Sequence, residues 1–525
     1  MRTKNTLINI SAGLANQLII TVLSFVSRTV FITSLGIDYL GVNALFTSVL
    51  AMLSLAEAGI GSSIVFNLYK PVAEKNRLQI LALMKLYRNT YRIIALVVTA
   101  MGLAVLPFLD LIVKGADVPH IELVYLIFLV NTAVPYLFVY KHSYLNVNQK
   151  NYIVTAVFSI SSIISTVIRI AILYYTENYL LYLAVDTVIT IATSIILTVI
   201  VNRKYPYLKF GKADTLDPET KRNFLRNMKA IFIQNVGSYF IFGVESILIS
   251  TFISIAAVGL YANYKMLIDI SRTFVNQIFS NMYHSVGNLV AKESADKIYE
   301  VYKATMLLNF WLYSMLGIGM FLLLGPFIRL WLGDSFLLSG AVVPVLVAAF
   351  YERGMRNSIT TVKTTAGIFH EDRYAPLLQA AINLGACLLL VRELGLGGIF
   401  LGGLLSAIAV PFWTTPYLVY KKVFGKPLLH YFLTYFAYMG AGLLALIVAY
   451  TVCQLWTVDT IAALLLQIAA CLIIVNSFYV ILFHRTEPFR YLRGVADMLI
   501  HKLLRSGRGL IGRKRELQTN ADHRN

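Results

Sequence analysis

The chain has 525 residues, 58% of them hydrophobic and only 14% charged, with a mean hydropathy of +0.71. A soluble domain of that size carries far more polar surface, so the solvent this chain is built for is a bilayer. The formal net charge of +19 does not read as nucleic-acid binding, because the basic residues are confined to particular loops, and three scattered cysteines (Cys387, Cys453, Cys471) support neither a disulfide framework nor a metal site.

Apolar runs, most of them roughly 20 residues or longer and so able to span the hydrocarbon core as a helix, follow one another along the chain. The predicted spans are 7–35, 40–68, 93–113, 121–140, 152–175 and 179–201, then 230–253, 257–290, 304–328, 339–361, 375–391, 398–420, 432–453 and 460–483. The first resembles a signal peptide at its start but runs on to Leu35 without a small-residue cleavage site, which reads as an uncleaved helix. The short alternating segments of a transmembrane barrel are absent. The expected fold class is an all-α integral membrane protein with about 14 transmembrane helices.

Of the 45 Lys and Arg, roughly 36 fall in the N-terminus, the even-numbered loops and the C-terminal tail, about 3 in odd-numbered loops and about 6 within helices. That bias places a multi-pass protein in the cell (plasma or inner) membrane with both termini cytoplasmic, its basic inner face attracting anionic membrane lipids. The polar, basic stretch 202–229 reads as a linker between an N-terminal lobe (1–201) and a C-terminal lobe (230–420). Accessory helices (421–483) and a basic tail (484–525) complete the expected order. A faint repeat agrees: Leu40-Gly41-Val42 opens the second span and Val258-Gly259-Leu260 the eighth, with Gln17 and Asn235 at equivalent places before them. In the tail, Phe489, Leu492, Val495, Leu499 and Leu503 recur at helical spacing among basic residues, as in an amphipathic helix on the inner leaflet; a solubilising tail is the other reading. The stretch 507–513 (GRGLIGR) lacks the Lys-Ser/Thr ending of a Walker loop and follows no strand, so no nucleotide cofactor is expected.

Charges inside the spans are where function is sought, since each costs about 2.5–3.5 kcal/mol unless it finds a partner or water. Arg169 and Asp186 flank a short outer turn at similar depth and read as a structural ion pair. Arg353 and Arg356, beside Glu352, are placed to snorkel toward the interface. Polar stripes mark four other spans: Gln17, Thr21, Ser24 and Arg28 in the first; Asn43, Thr47, Ser54 and Glu57 in the second; Gln234, Ser238 and Glu245 in the seventh; Tyr261, Lys265, Asp269, Arg272 and Asn276 in the eighth. Such faces cannot point at lipid, and four corresponding ones favour a shared polar cavity over packed seams. Its expected lining is Arg28, Glu57, Glu245, Lys265, Asp269 and Arg272. Lys265 and Asp269, four apart, neutralise each other, which leaves Arg272 and then Arg28 as the cations expected to meet a ligand. Guanidinium forks suit phosphate oxygens, and an amphiphile with an anionic phosphate head fits such a site. A further expectation is that Arg28 and Glu245 pair when the outer side is shut.

The run LGVNALFTSVLAMLSLAEAGIGSSIVFNLYKPVAEKN (40–76) and the segment VGLYANYKML (258–267) resemble the polysaccharide-transport branch of the MOP flippase superfamily, the oligosaccharide-lipid (Wzx-like) flippases. The resemblance implies two six-helix lobes in a V-shaped arrangement plus two C-terminal helices, working by alternating access. The implied substrate is an undecaprenyl-pyrophosphate-linked oligosaccharide destined for capsule, exopolysaccharide or O-antigen-like polysaccharide. It also implies neighbours in that pathway, a polysaccharide polymerase and glycosyltransferases, and cavity-lining roles for Arg28 and Arg272. Glu57, where relatives that carry lipid II have an arginine in the second helix, argues against that cargo. Two alternatives stand beside this reading: a multidrug exporter of the same superfamily, and a polysaccharide polymerase or ligase. The outer loops are too short and too poor in titratable residues to favour an enzyme.

Overall fold

The computed structural model describes residues 2–57, 60–115, 118–210, 243–368 and 370–498. Every regular element among them is helical, as hydrocarbon demands: a segment crossing without water must satisfy its own backbone N–H and C=O groups. The chain opens with α1 (Arg2–Leu35), α2 (Ile37–Leu53), α3 (Ile60–Ala73), α4 (Arg77–Val105) and α5 (Leu109–Ile112). It continues through α6 (Ile121–Ala133), α7 (Tyr136–Val147), α8 (Asn151–Thr176), α9 (Tyr179–Lys204) and α10 (Tyr207–Phe210). Next come α11 (Gly243–Phe252), α12 (Ile255–Lys292), α13 (Ala295–Leu332), α14 (Val342–Met355) and α15 (Asn357–Thr365). The last are α16 (Ala375–Ala409), α17 (Pro411–Val419), α18 (Leu429–Cys453), α19 (Ile461–Phe483) and α20 (487–498). Side-chain oxygens of Asn76, Asn178, Ser294 and Thr460 each accept a first-turn N–H of the helix they precede, at 3.2, 2.9, 3.4 and 3.2 Å, so these connections also nucleate helices.

Nine stretches among the described residues are long and apolar enough to cross a membrane. The remaining expected spans differ for physical reasons. The second is not continuous: α2 ends in a 3₁₀ turn at Ser54–Glu57 and α3 starts at Ile60. The tenth is likewise interrupted at Arg356, between α14 and α15. The eighth is a single 38-residue helix, α12, whose polar stripe keeps it below the apolar threshold. Of the seventh only α11 is described, so Gln234, Asn235 and Ser238 lie outside the described residues. The eleventh and twelfth, both within the range given for α16, turn back on each other as expected between 391 and 398, where Gly395 takes φ 54°, ψ −130°. The reversal is tight: a Cβ on Gly402 would lie 2.7 Å from the Cys387 nitrogen. Of the linker and the tail, residues 211–229 and 499–525 lie outside the described residues, Leu499 and Leu503 among them.

The chain divides into two compact units, one made of residues 1–270, 335–345 and 372–411, the other of 271–334, 346–371 and 412–525. Within the first, the two motifs of the faint repeat touch. A Cβ on Gly41 would fall 2.1 Å from the carbonyl oxygen of Ile255, and one on Gly259 2.5 Å from that of Ile37. Each glycine thus admits the first turn of the other's helix, and α2 and α12 cross backbone to backbone there, as small residues allow in membranes. Ser48 donates to Ser246 at 2.9 Å, linking α2 to α11.

The second unit is held by an aromatic core in which Phe310 stacks on Tyr438 at 4.8 Å and meets Tyr479 at 5.0 Å. Polar bonds fix α19 onto α13: Trp311 donates to Asn476 at 2.8 Å and Tyr479 to Ser314 at 2.8 Å. Asn309 donates to the carbonyls of Gly354 and Met355 at 2.9 and 3.1 Å, taking up groups that the break at Arg356 releases. Phe489 of α20 stacks on Trp311 at 6.0 Å, so this part of the tail is seated on the core. Lys303 bonds Glu487 at 2.7 Å, and Lys422 bonds Glu371.

Substituting valine for Gly41 or Gly259 should cost about 1–3 kcal/mol of stability by overpacking. Gly440 of α18, with nothing near its Cβ position, should accept alanine without loss; thermal unfolding in detergent checks all three. Hydrogen bonds from Lys422 and Lys303 hold the Glu371 and Glu487 carboxyls below their usual 4.5. A lowered folded-state pKa gives stability that is present above the unfolded value and lost as pH falls through the folded one. K303Q/K422Q should therefore flatten the acid limb of a melting-temperature profile below about pH 4.5 while leaving the neutral limb's slope unchanged.

Candidate functional site

Arg28, Arg169 and Asp186 each lie about seven residues from the predicted outer end of their helix, roughly 10 Å along its axis. The structure ties them together through Tyr182 of α9. Arg169 approaches Asp186 at 3.4 Å, donates to the Tyr182 hydroxyl at 3.1 Å and lies over that ring at 5.0 Å. Asp186 also accepts from Ser165 at 2.8 Å and from Asn131 at 3.1 Å. The carboxylate therefore has two hydrogen-bond donors, and the Arg169 charge has its counter-charge. Arg28, partly buried on α1, sits within electrostatic reach of the same Tyr182, whose ring packs against Phe31 at 5.4 Å. Among the described residues no carboxylate lies within ion-pair distance of Arg28, Glu245 included. This is one polar layer with a neutralised pair and one cation in excess.

Glu57 ends the 3₁₀ turn at the break between α2 and α3. Its carboxylate accepts from Tyr91 at 2.6 Å; Tyr91 packs edge-on against Tyr87 at 4.9 Å, and Tyr87 donates to Ser143 at 3.1 Å. Gly61, one turn on, makes room for both tyrosine hydroxyls: a Cβ there would lie 2.6 Å from that of Tyr91. Glu245 of α11 accepts from Tyr261 at 3.0 Å and faces Gly403 and Asn383 of α16. Lys265 and Asp269 form an ion pair of 2.6 Å, both about half exposed.

In the second unit, Arg272, the cation expected to meet a ligand first, engages a partner of its own. It and Arg353 both act electrostatically on Tyr313, a buried residue whose ring presses on Gly354. Arg356 does not snorkel: its guanidinium forks onto Glu352 at 2.6 and 2.9 Å, both side chains largely buried. Tyr91, Tyr182, Asn131 and Asn383 were passed over in the sequence. Tyr182, Asn131 and Asn383 are single polar groups in largely apolar runs and Tyr91 lies among Arg88, Asn89, Thr90 and Arg92, settings that sequence alone gives no reason to weigh.

Comparison with known proteins adds the fold. No family model matches the chain, and no curated protein matches it in sequence. Among solved structures, the lipid II flippase MurJ in an inward closed conformation matches with a TM-score of 0.61 and 16% identity, over 90% of this chain and 98% of that one. A multidrug resistance MATE family transporter of the MOP superfamily, inward-facing, matches with a TM-score of 0.57 and 14% identity, over 75% and 93%. The Vibrio cholerae MATE transporter VcmN, as a point mutant, gives 0.53 and 15% over 78% and 93%. The chain shares its fold with these solved transporters.

Replacing Asp186 by leucine strands the Arg169 charge and should destabilise the protein by about 3–5 kcal/mol, whereas D186N, which keeps hydrogen-bonding capacity, should cost less. Thermal unfolding of the purified variants measures the difference.

Proposed function

We propose that this protein is a flippase that moves a polyprenyl-diphosphate-linked oligosaccharide from the cytoplasmic to the outer leaflet. The six-helix lobes 1–201 and 230–420 would alternate access, with both termini in the cytoplasm. The observation that carries this reading is Arg28, a cation inside a spanning helix with no counter-charge within ion-pair distance among the described residues. A charge in that position is expensive unless a ligand or water compensates it, and a phosphate head supplies paired, charge-assisted hydrogen bonds. Arg272 would be a second phosphate contact by exchanging partners when cargo arrives. Glu57, Glu245, Lys265 and Asp269 would line the polar path.

The fold supports transport over catalysis. The match to a lipid-linked-cargo flippase takes in 90% of the chain, while the multidrug transporter matches leave out about a quarter. Cargo carried as a lipid diphosphate is produced by glycosyltransferases and consumed by a polymerase, which makes enzymes of those classes the natural partners.

In cells whose polysaccharide export depends on this protein, R28A should reduce surface polysaccharide by tenfold or more and accumulate lipid-linked oligosaccharide accessible only from the cytoplasmic face, with R28K intermediate. Normal export by an R28A protein present at wild-type level would overturn the reading.

A further inference from the structure

A second basic cluster lies in the first unit, away from the Arg28 layer. Arg88 and Arg92 occupy consecutive turns of one face of α4, in the half toward the predicted cytoplasmic side. Like charges four apart on a helix repel, and the described residues offer nothing to offset them. No carboxylate lies within ion-pair distance of either arginine, neither donates a side-chain hydrogen bond, and the Arg88 Nε is buried without a partner.

Packing against α7 fixes what faces them. Tyr87 bonds Ser143, and Tyr91 meets the ring of Tyr136 at 6.1 Å, so α4 and α7 run antiparallel in a defined register. Tyr140 lies one turn from each of those contacts, level with the arginines, and both guanidinium charges act on its hydroxyl. On the next residue, Lys141 is buried, with its ammonium 5.6 Å from the Tyr140 ring centre and donating to Asn202 at 2.8 Å. Two guanidinium charges thus act on one half-buried hydroxyl, with the Lys141 ammonium over the same ring. A buried N–H with no acceptor, between repelling charges, is the arrangement an anion completes.

We propose that Arg88 and Arg92, with Tyr140 beside them, form a binding site for the phosphate group of a membrane lipid. The planar fork of Arg88 and the more exposed Arg92 would grip two phosphate oxygens, and the Tyr140 hydroxyl would donate to a third. Phosphate on a lipid comes from two sources here: the headgroup of an inner-leaflet phospholipid, or the diphosphate head of a polyprenyl lipid. The site is separate from Arg28 and does not need the flippase reading to hold.

The test is native mass spectrometry of the full-length protein in detergent, titrated separately with phosphatidylglycerol, phosphatidylcholine and farnesyl diphosphate. Wild type should retain one of the two anionic probes, and R88Q/R92Q should bind that probe about a hundredfold more weakly. R88K/R92K, which keeps the charge, should bind it with intermediate affinity, and Y140F should lose less than the double glutamine variant. Arginine-dependent retention of phosphatidylglycerol supports the phospholipid source; arginine-dependent retention of farnesyl diphosphate supports the polyprenyl source. Equal binding by wild type and a monodisperse R88Q/R92Q protein, or no preference for either anionic probe over phosphatidylcholine, overturns the proposal. Because R28A leaves this cluster intact, its transport phenotype and the lipid titration fail independently.

Discussion

A guanidinium in an apolar helix cannot shed its proton, so the protein around it must supply a counter-charge, admit water or hold the site for an anionic guest. The polar architecture of the first unit follows from that constraint. Where the charge is only structural, its counter-charge is local: Asp186 gathers Arg169, Ser165 and Asn131. In the same layer, Arg28 lies in the neighbourhood of Tyr182. Two arginines at one depth, treated so differently by their surroundings, separate scaffold from site better than depth or burial does.

Carboxylates are handled by a parallel rule. Glu57 and Glu245 each lean on a tyrosine hydroxyl, at 2.6 and 3.0 Å. A neutral donor steadies a carboxylate without cancelling its charge. Glu57 takes its donor at the end of a 3₁₀ turn that closes α2. At the opposite end of α2, the reciprocal seating of Gly41 and Gly259 brings the first turns of α2 and α12 together.

Much of the fold was legible because hydropathy is a one-dimensional property: long apolar runs and the sidedness of Lys and Arg are written residue by residue. Short motifs carried further than expected, since Gly41 and Gly259, noticed only as a weak repeat, touch each other's helices. What stayed hidden depends on contacts between helices. The 3₁₀ turn at Ser54–Glu57 sits in a run with no proline, and Gly395 reads no differently from Gly397 or Gly398. In the candidate site, the charged residues were visible as exceptions to hydropathy, but their partners were not. Tyr182 decides what Arg169 and Arg28 each experience, yet a tyrosine in a membrane helix is ordinary, and only packing shows which way its hydroxyl turns. Arg272 is similar: the pairing of Lys265 with Asp269 was legible from their spacing, and the partner Arg272 has was not.

The most direct measurement compares the affinity of purified wild-type and R28Q protein for a polyprenyl diphosphate and for the matching polyprenyl alcohol. If Arg28 is the cation that awaits a phosphate, wild type favours the diphosphate strongly and R28Q loses most of that preference while binding the alcohol as before. A preference unchanged by R28Q would contradict the account at its centre.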